Sequence, residues 1–152
     1  MFYIFITALI VLLDQISKLF AIKFLKGQNP YIIIEKYFEL RYVENYGAAF
    51  GILQQRRVLF LIITTVVLII IFAFLYKNHQ YLSTISKFAI SLFLGGAIGN
   101  FIDRIRLGYV VDFLRVNIIP NYDFPVFNIA DTFVVIGTIL IVFIVIFDKY
   151  EI

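Results

Sequence analysis

The sequence contains no cysteine and only one histidine, His79. Without cysteine the chain can form no disulfide, offers no thiol nucleophile and has no cysteine metal ligand. A single histidine beside Asn78 in a short polar segment cannot build a Ser-His-Asp triad or a histidine-based metal site. Charged residues are scarce at 15%, and the Lys and Arg residues are scattered without a basic tract. We therefore expect no nucleic-acid partner.

What the sequence has in excess is apolar surface, with 62% hydrophobic residues in 152. A water-soluble domain of this size could not bury so much apolar surface, so we expect residues 1–152 to form one domain embedded in lipid. Asp14 and Lys18 interrupt the first apolar segment, which we interpret as a retained helix and not as a cleaved leader. Four apolar segments predict membrane spans, at about residues 1–25, 58–76, 88–102 and 129–147.

The connections between these segments differ in character. Apolar and charged residues alternate over 38–42, which predicts a half-buried strand. A second β-prone run, 109–114, carries one carboxylate, Asp112. We expect a small sheet on the membrane surface, whereas residues 77–86 leave room only for a turn.

Two aspartates are candidates for chemistry. Asp112 lies in an apolar run and could instead be an edge-strand charge that discourages pairing. Asp131 lies near the start of the fourth span and could instead complete a helix cap with Asn128. Two carboxylates held close in a low-dielectric site cannot both ionise, so one keeps its proton while the other acts as a base. Such a pair could activate water against a peptide carbonyl.

Other polar residues lie at membrane depth, where ionisable groups are costly. Asn100, Asp103 and Arg104 share one face if the third helix extends that far, either to bind a substrate backbone or to clamp helices together. Asp14 and Lys18 are four residues apart, and we interpret them as a mutually neutralising ion pair. Gly95 and Gly99 are typical of close helix packing.

Five segments, in order, resemble the bacterial lipoprotein signal peptidases (signal peptidase II). They are Asp14-Gln15-Ile16-Ser17-Lys18, Asn45-Tyr46-Gly47-Ala48-Ala49-Phe50, Gly95 to Arg104, Val111-Asp112-Phe113 and Phe127-Asn128-Ile129-Ala130-Asp131. The resemblance implies an all-α membrane protein with four transmembrane helices and a small extracytoplasmic β-sheet, the β-cradle. It also implies an aspartic endopeptidase that removes the signal peptide of diacylglyceryl-modified prolipoproteins, cleaving before the lipidated cysteine.

The resemblance assigns roles to individual residues. It places the catalytic pair on Asp112 and Asp131. The other residues fall on substrate-binding or dyad-supporting positions (Asn45, Asn100, Arg104, Asn128) and on further supporting positions (Asp14, Lys18, Asp103). No cofactor or metal is expected. The expected partners are the prolipoprotein substrate, membrane lipids and inhibitory globomycin-type cyclic peptides, bound by a monomer in the bacterial cytoplasmic (inner) membrane.

Orientation gives conflicting predictions. Most Lys and Arg residues outside the spans fall in the connections after the first and third spans, which the positive-inside rule would place in the cytoplasm. The resemblance implies the opposite, because lipoprotein signal peptides are cleaved at the outer leaflet. We follow the resemblance, with these cations meeting anionic headgroups there.

Two other functions remain open from the residues alone. Asp103, Asp112 and Asp131 could hold Mg²⁺ in a phosphotransferase or phosphatase whose Arg104 meets a lipid-linked phosphate. Alternatively, Asp14, Asp112 and Asp131 could form the relay of a small ion or proton carrier.

Overall fold

The computed structural model describes residues 2–47, 56–117 and 124–147. Four helices of 18 to 24 residues are long and apolar enough to cross a membrane, at about 1.5 Å per residue. The prediction of four spans is thus confirmed. They are α1 (Phe2–Leu25), α2 (Arg57–Asn78), α3 (Thr84–Arg106) and α4 (Ile129–Ile146).

The third helix is longer than the apolar segment that predicted it. Ser83 caps its N-terminus by accepting a hydrogen bond from the Ser86 N–H, and the helix continues past the glycine-rich stretch to Arg106. Gly108 follows with a φ of +87°, a conformation that favours glycine. Asn100, Asp103 and Arg104 therefore all lie on the helix.

Helix α3 is the centre of the bundle and packs against α1, α4 and, less extensively, α2. Close approach depends on glycine: a Cβ at Gly95 would lie 2.7 Å from Ile10 of α1. A Cβ at Gly99 would lie 2.5 Å from Asp14 Oδ2. The predicted packing role of these two glycines is confirmed.

A three-stranded antiparallel sheet of order β1-β2-β3 connects the helices at one end of the bundle. The predicted strands at 38–42 and 109–114 are confirmed, with shifted bounds. The first strand carries no alternation that would predict it, because its residues are apolar throughout. The strands are β1 (Tyr31–Ile34), β2 (Phe38–Asn45) and β3 (Val110–Val116).

Two contacts fix the sheet relative to the helices. Ala21 of α1 forms a buried cluster with Val111 and Phe113 of β3. On its other side β3 bridges to Phe127, whose N–H and carbonyl both bond to Leu114. This bridge places the start of α4 beside the middle of β3.

Candidate active site

Five of the predicted site residues line one cavity of about 720 Å³. They come from four elements that meet only in the folded chain. The residues are Asn45 at the end of β2, Asn100 and Arg104 on α3, Asp112 on β3 and Asp131 on α4. The fold therefore brings the two candidate aspartates to the same cavity.

Asp112 is 1% exposed and is held by two amides. Asn45 Nδ2 donates to its Oδ2 at 2.9 Å, and Asn128 Nδ2 donates to its Oδ1 at 2.6 Å. An edge-strand charge would face solvent, whereas this carboxyl is buried between β2 and the Phe127 bridge. The edge-charge interpretation is therefore wrong.

Asp131 takes part in the helix cap that the sequence suggested. Its N–H donates to Asn128 Oδ1 at 2.8 Å, and its Oδ2 accepts from the Asn128 N–H at 3.2 Å. The remaining oxygen, Oδ1, accepts from Asn100 Nδ2 at 2.7 Å and belongs to a residue that lines the cavity. The capping interpretation is confirmed, and the cap holds the carboxyl in place at the cavity wall.

Asn128 links the two aspartates. It is fully buried, and it donates its side-chain amide to Asp112 and its backbone N–H to Asp131. A single residue thus sets the positions of both carboxyls, and its own position follows from the neighbouring Phe127 bridge to β3.

Lys18 lies behind this pair and uses all three ammonium N–H groups. Its Nζ is 2.9 Å from Asp14 Oδ2, from Asp103 Oδ2 and from Asn100 Oδ1. The lysine is 2% exposed and Asp14 is fully buried. The predicted ion pair of Asp14 and Lys18 is confirmed, and the structure adds Asp103 as a second carboxylate that shares the same cation.

The two carboxylates around Lys18 also accept hydrogen bonds from backbone N–H groups that are distant in sequence. Asp14 Oδ1 accepts from the Ala130 N–H of α4 at 3.0 Å, and Asp103 Oδ2 accepts from the Val111 N–H of β3 at 3.1 Å. Ala130 and Val111 are the immediate neighbours of Asp131 and Asp112. The Lys18 cluster therefore anchors both elements that carry the aspartates.

The polar face of α3 serves both suggested roles. Asp103 clamps helices through Lys18, and Asn100 both contacts Lys18 and lines the cavity. Arg104 lines the cavity, with its guanidinium 4.9 Å from the centre of the Phe60 ring and Nη2 donating to the Gly47 carbonyl at 3.3 Å. Residues 48–51 of the small-residue turn after Asn45 lie outside the described residues.

Burial sets the electrostatics of Asp112. Desolvation, and next the negative charge of Asp131, raise the pKa of the Asp112 carboxyl to about 7. The hydrogen bonds from Asn45 and Asn128 and the charge of Lys18 act in the opposite direction. Asp112 therefore carries its proton below about pH 7.

This pKa predicts how stability depends on pH. A carboxyl whose pKa is raised in the folded state favours folding while it is protonated, and that advantage is lost as the pH rises from about 4 through about 7. We expect the Tm of the wild type to fall relative to that of Asp112→Asn across this range, as measured by thermal unfolding in detergent between pH 4 and 9. Parallel curves for the two proteins would contradict the raised pKa.

The three-carboxylate magnesium site is not formed in the described part of the chain. Asp103 is absent from the lining of the cavity, and its oxygens accept from Lys18, Gln15 and Val111. Within residues 2–47, 56–117 and 124–147, no group of three or more His, Cys, Asp or Glu side chains is arranged to hold a metal ion.

Sequence reasoning assigned no role to two residues of the site, Gln15 and Glu44. Gln15 Nε2 bonds to Asp14, to the Gly99 carbonyl and to Asp103. Glu44 lines the cavity, and hydrogen bonds from Lys26 and Tyr46 lower its pKa to about 2. Gln15 could have been noticed as a polar residue inside an apolar span. No local pattern marks Glu44 as part of the cavity.

Comparison with known proteins agrees with this architecture. Residues 6–147 match the family model described as signal peptidase (SPase) II. A lipoprotein signal peptidase of Caldanaerobacter subterraneus subsp. tengcongensis is 44% identical over 95% of this chain and 95% of its own length. One from Clostridium tetani is 44% identical over 97% of this chain and 95% of its own. A solved structure of a bacterial membrane enzyme is 40% identical and superposes with a TM-score of 0.86, over 97% of this chain and 88% of that one.

Proposed function

The chain belongs to the signal peptidase II family, and from that premise we propose that it removes the signal peptide of diacylglyceryl-modified prolipoproteins by cleaving before the lipidated cysteine. The observation that carries this proposal is the pair Asp112 and Asp131, which face one cavity and are both held by Asn128. The family is one of proteases, and four spanning helices make the protein a multi-pass membrane enzyme.

The two aspartates divide the acid and base roles. Asp112, with a pKa of about 7, holds a proton at lower pH, so it polarises the scissile carbonyl and later protonates the leaving amine. Asp131 is the base that takes a proton from the attacking water. The resting pair thus shares one proton, which suits attack by water without a covalent intermediate.

The remaining polar groups hold this pair or meet the substrate. Asn45, Asn100 and Asn128 donate to the carboxyls and fix their directions. Arg104 lines the cavity beside Gly47, where its guanidinium can donate to carbonyl oxygens of the substrate peptide. Asp14, Lys18 and Asp103 hold α4 and β3, the two elements that carry the aspartates, through the hydrogen bonds to Ala130 and Val111.

The shape of the cavity suits a lipidated substrate. Beyond Asp131 and Thr132, its wall on α4 is apolar and is formed by Val134, Val135 and Ile136 within the span. Val135 is 56% exposed, so this side of the cavity opens toward lipid. The acyl chains of the substrate can therefore remain in the bilayer beside α4 while the peptide reaches the aspartates. A globomycin-type cyclic peptide would block the same cavity, and one monomer supplies all these residues.

The direct test is cleavage in vitro. Purified protein is incubated with a prolipoprotein that carries the diacylglyceryl group and, as a matched control, with the same precursor lacking it. We expect loss of the signal peptide from the lipidated precursor only. Phosphatase activity that requires Mg²⁺, or proton flux in liposomes without proteolysis, would favour one of the two other functions.

The pH dependence of this cleavage should follow Asp112. Because the acid must hold its proton, kcat/KM should fall as pH rises above about 7. Asn45 lowers the pKa of Asp112 through its hydrogen bond. Asn45→Ala should therefore shift this fall in kcat/KM to higher pH and reduce maximal activity roughly tenfold. A fall in kcat/KM that begins at lower pH in Asn45→Ala than in the wild type would contradict the role of Asp112 as the acid.

Orientation is the next expectation, with the sheet and cavity on the extracytoplasmic side of the inner membrane. The absence of native cysteine allows single cysteines to be placed at Glu35, in the β1–β2 turn, and at Gln80, between α2 and α3. In intact cells a membrane-impermeant thiol reagent should label Glu35→Cys but not Gln80→Cys. The reverse pattern would agree with the positive-inside count and place the site in the cytoplasm.

A further inference from the structure

A second cavity, of about 750 Å³, lies apart from the cavity of the aspartates and shares no lining residue with it. It is formed between α1 and α2, with Leu94 and Ile98 of α3 as its floor. Within the described residues, α1 and α2 each pack against α3 and hardly against each other. We call the gap between these two helices the α1–α2 groove.

We propose that the α1–α2 groove binds one acyl chain of an anionic phospholipid, whose headgroup lies at the helix ends beside Tyr3, Tyr76 and His79. This lipid is separate from the substrate, and its site shares no lining residue with the cavity of the aspartates.

The length of the groove fits a single leaflet. Along α1 its lining extends from Tyr3 to Gln15, which at 1.5 Å per residue is about 18 Å. Half of a hydrocarbon core of about 30 Å is close to that length. Because α1 and α2 run in opposite directions, Tyr3 and Tyr76 lie at the same membrane surface, away from the sheet. The groove therefore begins at the headgroup level and ends near the middle of the bilayer.

The lining changes in chemistry along this length. The inner part is mostly aliphatic and aromatic, with Val11, Leu12 and Phe72 among its residues. If the groove were empty, these side chains would lack van der Waals contacts on the side that faces it. The outer end presents the hydroxyls of Tyr3 and Tyr76 and the imidazole of His79. Aromatic residues with polar tips are typical of the bilayer interface, where they meet headgroups.

Charge favours an anionic headgroup. Among the described residues at this end of the bundle, the charged side chains are Lys77, next to Tyr76, and Lys87 on the first turns of α3. Residues 57–102 contain no Asp or Glu at all. Among the residues that the structure describes, a phosphate group at this end would therefore meet cations and hydrogen-bond donors without a neighbouring carboxylate.

The test measures bound lipid on the intact protein. Wild type is reconstituted in nanodiscs of equal phosphatidylcholine and phosphatidylglycerol, transferred to mild detergent and examined by native mass spectrometry. We expect one retained phospholipid per monomer, with phosphatidylglycerol preferred severalfold. Ala8→Phe, which fills the groove with a ring, should remove this lipid. The matched control is Val66→Phe on α2, an exposed position outside the groove, which should retain it.

A second variant separates headgroup from chain. Lys77→Gln with His79→Ala should keep the lipid but abolish the preference for phosphatidylglycerol. Equal retention by Ala8→Phe and Val66→Phe would overturn the site, and equal retention of both lipids by the wild type would overturn the anionic headgroup. A dimer that Ala8→Phe converts to a monomer would show that a second copy occupies the groove instead. Proteolytic activity is not part of the readout, so the result stands apart from the proposed function.

Discussion

Asp112→Asn and Asp131→Asn should each reduce kcat for cleavage by at least three orders of magnitude, because each removes a proton donor or acceptor and keeps the shape of the side chain. The two carboxyls act as one unit, so the double variant should be little worse than either single variant. Turnover is measured with the diacylglyceryl-modified precursor under single-turnover conditions.

The control for these variants is folding. Asp112→Asn keeps the shape of the side chain, its amide oxygen can still accept from one of Asn45 and Asn128, and no buried charge is left without a partner. We expect normal insertion and, above pH 7, a Tm at least equal to that of the wild type. Near wild-type turnover in a well-folded variant would exclude that aspartate from the chemistry.

Lys18→Met should have the largest effect on stability. Removing this cation leaves two buried carboxylates, Asp14 and Asp103, without their shared partner. Loss of one member of a buried ion pair costs about 3–5 kcal/mol, which is a large part of the stability of a small protein. The amount of folded, membrane-inserted protein should fall sharply, as measured by fluorescence-detected size exclusion. The exposed Lys77→Met is the matched control and should have little effect.

The structure also predicts which second changes restore folding. Replacing Asp14 and Lys18 together with Leu and Met should not restore the protein, because Asp103 remains charged and Ala130 loses its acceptor. Lys18→Met combined with Asp14→Asn and Asp103→Asn should recover much of it, since no buried charge remains in the cluster. Full recovery in the Leu and Met variant would show that Asp103 does not depend on Lys18.

The sequence by itself determined the features that depend on neighbours along the chain. Four spans follow from the length and apolarity of the segments, and the strands at β2 and β3 follow from their composition and alternation. The cap between Asn128 and Asp131 is also local, since the two residues are three positions apart at a helix start. These contacts form within one helix or strand, so spacing is sufficient to predict them.

The tertiary structure alone decided how the polar residues are connected. Asp14 reaches the Ala130 N–H across 116 residues, and Lys18 reaches Asn100 across 82, so no local periodicity relates them. Asp103 and Arg104 are adjacent in sequence, yet one supports Lys18 and the other lines the cavity. Their directions differ because successive residues on a helix project about 100° apart, and the neighbours that each one meets are set by how α1, α2 and α4 pack around α3.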